Sequence, residues 1–104
     1  PQALKFLTND AENGIAKAQN NLGMIFAHGK YVPQDDKQAM KWYQLAAENG
    51  SFIAQYNLGE MYSKGRGVAK DEQKASKWLR LYIESCRGTN KYIQPSKKEC
   101  LSGI

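Results

Sequence analysis

At 104 residues, with 41% hydrophobic content and a mean hydropathy of −0.68, the chain is one small domain with no membrane span of about 20 apolar residues. The formal net charge of +5 is unevenly placed: residues 1–63 carry five Lys/Arg against six Asp/Glu, and residues 64–104 carry ten against four. No basic n-region or apolar h-region opens the sequence, and a start at Pro1 without Met is expected of a trimmed or processed product.

Residues 3–13 are expected to be helical, with an apolar stripe of Ala3, Leu4, Phe6, Leu7 and Ala11, and Gly14 suits a left-handed cap. A second helix is expected over 15–28. Its main apolar face is Ile15, Ala18, Leu22, Ile25 and Phe26. Beside it runs a small-residue stripe, Ala16, Asn20, Gly23 and Ala27, where another helix can come close. The remaining stripe is Lys17, Asn21, Met24 and His28. Gly29 closes this helix, and Tyr31-Val32-Pro33 carries the chain across. Asp35 or Asp36 caps a third helix over 36–49, and Gln38, three residues after Asp35, completes a capping-box pattern. That helix presents Ala39, Trp42, Tyr43, Ala46 and Ala47 and ends at Gly50.

The chain then repeats itself. Thirteen of 36 positions are identical between residues 15–50 and 51–86, with no gap, among them Leu22/Leu58, Gly23/Gly59, Gly29/Gly65, Asp35/Asp71, Ala39/Ala75 and Trp42/Trp78. The second copy has Phe52, Ile53, Tyr56, Leu58, Met61 and Tyr62 in its first helix and Trp78, Leu79, Leu81, Tyr82 and Ile83 in its second. It has Lys74 in place of Gln38, so only the Asp71 cap is expected there. A partial copy comes first: Ala11-Glu12-Asn13-Gly14 precedes Ala47-Glu48-Asn49-Gly50 by 36 residues, and Phe6 falls at the Trp42 position. After Ser85 the period fails, with Asn90, Gln94 and Pro95 where Ala, Leu and Gly should recur. The expected organisation is a half repeat over 1–14, repeats over 15–50 and 51–86, and a terminal cap over 87–104, with Ser96 and Glu99 starting a short helix.

Leu22-Gly23, Gly65-x-Gly67-Val68, Asp71, Ala75, Trp78 and Ala46-Ala47-Glu48-x-Gly50 together make a recognisable pattern. Over residues 1–86 it resembles the Sel-one-like repeat, a relative of the tetratricopeptide repeat. The resemblance implies an all-α fold, a right-handed α/α solenoid of antiparallel helix hairpins. It also implies an adaptor that scaffolds protein complexes, as in bacterial signalling, host interaction and eukaryotic quality control. Two departures stand out. Tyr31 replaces the second glycine of the first loop, so a different turn is expected there. The last helix ends Tyr82-Ile83-Glu84-Ser85-Cys86 instead of Ala-Ala-Glu-x-Gly.

In such a stack the first helix of each hairpin lines the concave groove. A peptide or protein partner would therefore meet Lys17, Asn21, Met24 and His28, and at the equivalent positions Ile53, Asn57, Glu60 and Lys64. Asn21 and Asn57 suit hydrogen bonding to an extended backbone; bracing of the neighbouring repeat is the other reading, and both stand. For Met24, Glu60 and Lys64 plain solvent exposure is the favoured reading unless a partner is shown. His28, the single histidine, sits where a cation favours a helix C-terminus, without companions at metal-ligand spacing, so no metal and no cofactor are expected. The periodic aromatics Phe26, Trp42, Tyr43, Tyr62 and Trp78 belong to the repeat's core and not to a ligand-stacking box.

Cys86 and Cys100 lie outside the repeat and bracket the tail, which favours a disulfide between them and so an exported protein. Oxidised, they would pin the tail to the last helix, worth roughly 3 kcal/mol for a loop of about 15 residues, and imply an exported, periplasmic or secreted protein; reduced, they fit the cytosol. Two other functions belong to different classes. An exported β-lactam-binding or weakly hydrolysing protein would belong to the family's cysteine-rich branch, which pairs cysteines inside each repeat, as this chain does not. No S-x-x-K, S-D-N, K-T-G or G-x-S-x-G string occurs, and Gly65-Arg66-Gly67 lacks the rest of a phosphate loop, so the chain is not expected to be an enzyme. A nucleic-acid binder would use Lys70, Lys74, Lys77, Arg80, Arg87, Lys91, Lys97 and Lys98, but aromatics do not interleave these on an exposed surface.

Overall fold

The structure, a computed structural model, describes residues 2–86. The terminal cap expected over 87–104, the side chain of Cys86 and all of Cys100 lie outside the described residues. Five α-helices follow one another: α1 (Gln2–Glu12), α2 (Ala16–His28), α3 (Asp36–Glu48), α4 (Phe52–Lys64) and α5 (Glu72–Cys86). No strand occurs among the described residues. Helices α2 and α3 form one hairpin and α4 and α5 the next, with α1 packed on α2 and α3 on α4. The fold is an all-α solenoid.

The same local chemistry builds both hairpins. Gly29 and Gly65 end α2 and α4 in the left-handed region, at φ +70° and +69°, where a side chain would be strained. Asp35 and Asp71 then cap the next helix, their carboxylates accepting from the Gln38 and Lys74 N–H groups at 3.1 and 3.0 Å. The capping-box expectation for the first copy is corrected here. The Asp35 N–H donates to the Phe26 carbonyl at 2.9 Å, as the Asp71 N–H does to Tyr62 at 3.0 Å. With that donor taken by the preceding helix, Gln38 has nothing to reach back for.

The expectation of a different turn at Tyr31 is also corrected. Tyr31 sits at φ +71° and Gly67, 36 residues later, at φ +74°. The turn is kept, at a cost of about 1 kcal/mol for holding a side chain in left-handed backbone. Gly67 has a second constraint that bars any side chain: a Cβ there would lie 2.4 Å from the Asp36 carbonyl oxygen of α3.

Packing within each hairpin depends on glycine as well. A Cβ on Gly23 would meet the Tyr43 ring at 2.7 Å, and one on Gly59 would meet the Leu79 side chain at 2.8 Å. The Leu-Gly pair of each repeat thus buries a leucine, Leu22 or Leu58, and opens a seat for a residue of the following helix. One core cluster joins Ala27, Ala39, Met40, Tyr43, Ala46, Ala47, Ala54, Leu58 and Met61, with Phe26, Tyr62 and Trp78 packed on it. A second joins Ala11, Ala18, Leu22 and Trp42, the last 8% exposed. The periodic aromatics are core, as their spacing predicted.

Ile15, assigned to the core face of α2, is instead the exposed N-cap residue, because the helix begins one position later. Phe6, expected to behave like Trp42, is 69% exposed. Trp42 is covered by Ala11, Ala18 and Leu22 from the helices before it, and no helix precedes α1 among the described residues. Where the first repeat has Ala16, Asn20 and Ala46, the second has Phe52, Tyr56 and Tyr82. These rings pack on one another, with centroids 6.2 Å apart for Phe52–Tyr82 and 5.2 Å for Tyr56–Tyr82.

Candidate functional site

The stripe singled out in the sequence is carried by α2 and α4. These helices are tied across the repeat boundary by Asn57, whose Nδ2 donates to Asn20 Oδ1 at 3.1 Å; Asn20 in turn donates to the Met24 sulfur at 3.7 Å. Asn57 therefore braces the repeats, while Asn21 is exposed.

Beside that brace a cavity of about 160 Å³ opens, lined by His28, Asn57, Glu60 and Lys64 and floored by Tyr43, Tyr56 and Arg66. A second cavity, about 250 Å³, is lined by Asn21, Met24, Ile25, His28, Lys30 and Tyr31. His28 lines both. The structure thus gathers Asn21, Met24, His28, Asn57, Glu60 and Lys64 around two adjoining hollows. Lys17 and Ile53 are exposed but line neither.

Charge is neutralised unequally along this face. Lys64 pairs with Glu60 at 3.0 Å, an exposed i,i+4 pair worth a few tenths of a kcal/mol. Arg66 does more. Its Nη2 donates to Asp36 Oδ1 at 2.9 Å and to the Ala27 carbonyl at 3.1 Å, and its Nε donates to Asp36 Oδ2 at 3.3 Å. One guanidinium so clamps the end of α2 and the start of α3 to the loop after α4, and the bond to Asp36 raises its pKa further above the ordinary arginine value. Burial against this clamp pushes the Tyr43 hydroxyl up to about 12, so it stays neutral and presents a hydroxyl, not an anion.

Sequence reasoning missed Arg66, Tyr43, Tyr56, Ile25, Lys30 and Tyr31 as parts of this face. In the sequence Arg66 stands out only between Gly65 and Gly67, in an incomplete phosphate loop. Its partner in register is Lys30, so periodicity gave no sign of the clamp. Tyr31 was flagged as a departure, which was the available signal.

The arrangement offers donors, acceptors and apolar walls for binding. Among the described residues no three His, Cys, Asp or Glu side chains gather as a metal-ligand set, and no helix is long and apolar enough to cross a membrane. The basic residues in and just before α5 have local company: Lys70 lies 3.9 Å from Glu72, and the Lys74 and Lys77 ammonium groups sit over the Tyr62 and Trp78 rings at 5.6 and 5.7 Å. Lys41 sits likewise over Trp42, at 5.3 Å. Of the remaining basic residues in that set, Arg87, Lys91, Lys97 and Lys98 lie outside the described residues.

The sequence model of the Sel1 repeat matches residues 16–51 and 53–82, the two hairpins described above. No curated protein matches the chain. Among solved structures, the chain is similar to a Sel1 repeat protein from Oxalobacter formigenes, at 37% identity and a TM-score of 0.78, covering 96% of this chain and 71% of that one. It is similar to cysteine rich protein B of Helicobacter pylori at 25% identity and a TM-score of 0.77, covering 80% of this chain and 62% of that one. A protective antigen present in uropathogenic Escherichia coli strains, displaying an SLR fold, matches at 33% identity and a TM-score of 0.59, over 78% of this chain and 25% of that one.

Proposed function

This chain belongs to the Sel1 repeat family, whose members are generally protein-interaction modules, and we propose that it binds a peptide or protein partner along the face formed by α2 and α4. The observation that carries this reading is the junction itself. The Asn57–Asn20 brace and the Arg66–Asp36 clamp hold two helices in fixed register, and two adjoining cavities with mixed polar and apolar walls lie along that seam. A preorganised surface of this kind binds without spending free energy on ordering itself. In this reading Asn21, Met24, His28, Glu60 and Lys64 meet the partner, Lys17 contributes at the edge, and Asn57 divides its amide between brace and partner. The chain acts as a scaffold and not as a catalyst, since the same face offers no nucleophile paired with a base.

The test is a Glu60→Ala, Lys64→Ala double variant, in which two exposed groups are removed and the braces are left intact. Binding of the partner weakens by about tenfold, the loss of roughly 1.4 kcal/mol, with helicity unchanged by circular dichroism. Unchanged affinity would place the partner on another surface.

A further inference from the structure

The loop after α2 holds a feature that packing alone does not explain. Tyr31 adopts left-handed backbone, φ +71°, in the register where the second repeat has Gly67. A tyrosine held this way should gain something for its ring, yet the residue is 64% exposed. It stands at the edge of the cavity of about 250 Å³ that Met24 and Ile25 line, and the Lys30 ammonium lies 5.3 Å from its centroid. Strained backbone presenting an exposed aromatic beside a hollow that Met24 and Ile25 line on its apolar side is the pattern of a ligand clamp. Tyrosine is also the residue type enriched where partners anchor.

Charge says what kind of partner fits. From Ile15 to Gln34 the sequence has Lys17, Lys30 and His28 and no carboxylate. Within the described residues neither Lys17 nor Lys30 has an acidic partner, whereas on the α4 side Lys64 is matched by Glu60 and Arg66 by Asp36. The α2 half of the face is thus the unneutralised half. At about 250 Å³, this solvent-open hollow has room for a leucine side chain against Met24 and Ile25.

We propose that Tyr31, Met24 and Ile25 form an anchor subsite for an aliphatic side chain of an acidic partner segment, with Lys30 taking a carboxylate next to that side chain. The proposal rests on the reading of the α2/α4 face as the binding surface and specifies the partner's chemistry there.

The experiment is an NMR titration of the full chain with the blocked peptide acetyl-Ala-Leu-Asp-Leu-Ala-amide. Two control peptides replace its aspartate by lysine or its leucines by serine. The Met24 methyl and Tyr31 ring resonances shift saturably with the first peptide. Affinity falls at least about tenfold with either control, and equally in the Tyr31→Gly variant, the scale of losing one buried anchor. Glycine keeps the left-handed turn, so the variant's melting temperature shows that the fold is intact. Equal affinity for the lysine peptide, equal affinity in Tyr31→Gly, or no saturable shift at Tyr31 and Met24 would each overturn the anchor. So would Tyr31 shifts that follow protein concentration without peptide, which would mark a self-association surface. The broader reading is judged separately, by whether Tyr56, Asn57 and Lys64 move when the partner binds.

Discussion

Tyr31 and Gly67 occupy one register and one backbone conformation, yet they answer to different constraints. At Gly67 the neighbouring helix leaves no space, since a Cβ would stand 2.4 Å from the Asp36 carbonyl and 3.0 Å from Met40 Cγ. At Tyr31 the side chain is in the open, and only the local backbone is strained. The two substitutions should therefore behave in opposite ways. Gly67→Ala should cost about 2–3 kcal/mol, combining left-handed strain with overpacking against backbone. Tyr31→Gly should change stability by less than about 1 kcal/mol, because relief of strain offsets the greater freedom of glycine in the unfolded chain. Urea denaturation of both variants measures this. Equal losses at the two positions would mean that the α3 contact does not govern the choice of glycine at 67.

At the scale of elements, each hairpin is held by its own glycine seat, and side-chain polar contacts tie successive elements together. Gln19 donates to the Ala11 carbonyl at 3.0 Å and accepts from Asn49 at 3.0 Å, linking α1, α2 and the end of α3. Arg66 links α2, α3 and the loop before α5. Since the guanidinium engages Asp36 through two nitrogens, lysine cannot replace it in kind. Arg66→Lys should lower the unfolding free energy by about 1 kcal/mol, a figure kept small because the pair is partly open to water. Lys30→Ala, in the same register of the first repeat, should have no measurable effect. A loss at Lys30 equal to that at Arg66 would contradict the clamp.

At the scale of the molecule, the fold was legible because a 36-residue period sets both helix boundaries and packing partners at once. Ala39/Ala75 and Leu22/Leu58 are buried for the same reason in both copies, so at these core positions a repeated letter is a repeated environment, whereas Asn21 is exposed and Asn57 braces the repeats. What periodicity could not show is whatever differs between copies. Phe6 keeps the spacing of Trp42 without its covering helices, so its exposure was invisible in the pattern. Arg66 opposite Lys30, and Tyr31 opposite Gly67, break the period, and they shape the junction and its cavities. Subtracting the packed faces leaves the stripe on α2 and α4, six of whose residues lie around the two hollows; it leaves bracing and partner contact both open for Asn57, whose bonding partner Asn20 lies on the small-residue stripe and carries no mark of the bond.

The central claim is that the α2/α4 face carries the partner, and site-specific photo-crosslinking tests it most directly. A benzophenone side chain is placed in turn at His28 and Lys64 on that face and at Lys77 and Arg80 on α5, and each protein is irradiated in extract of the source cell. The account predicts one and the same partner adduct from His28 and Lys64, competed away by unlabelled chain, and none from the α5 positions. Adducts from Lys77 or Arg80 with none from His28 or Lys64 would contradict it.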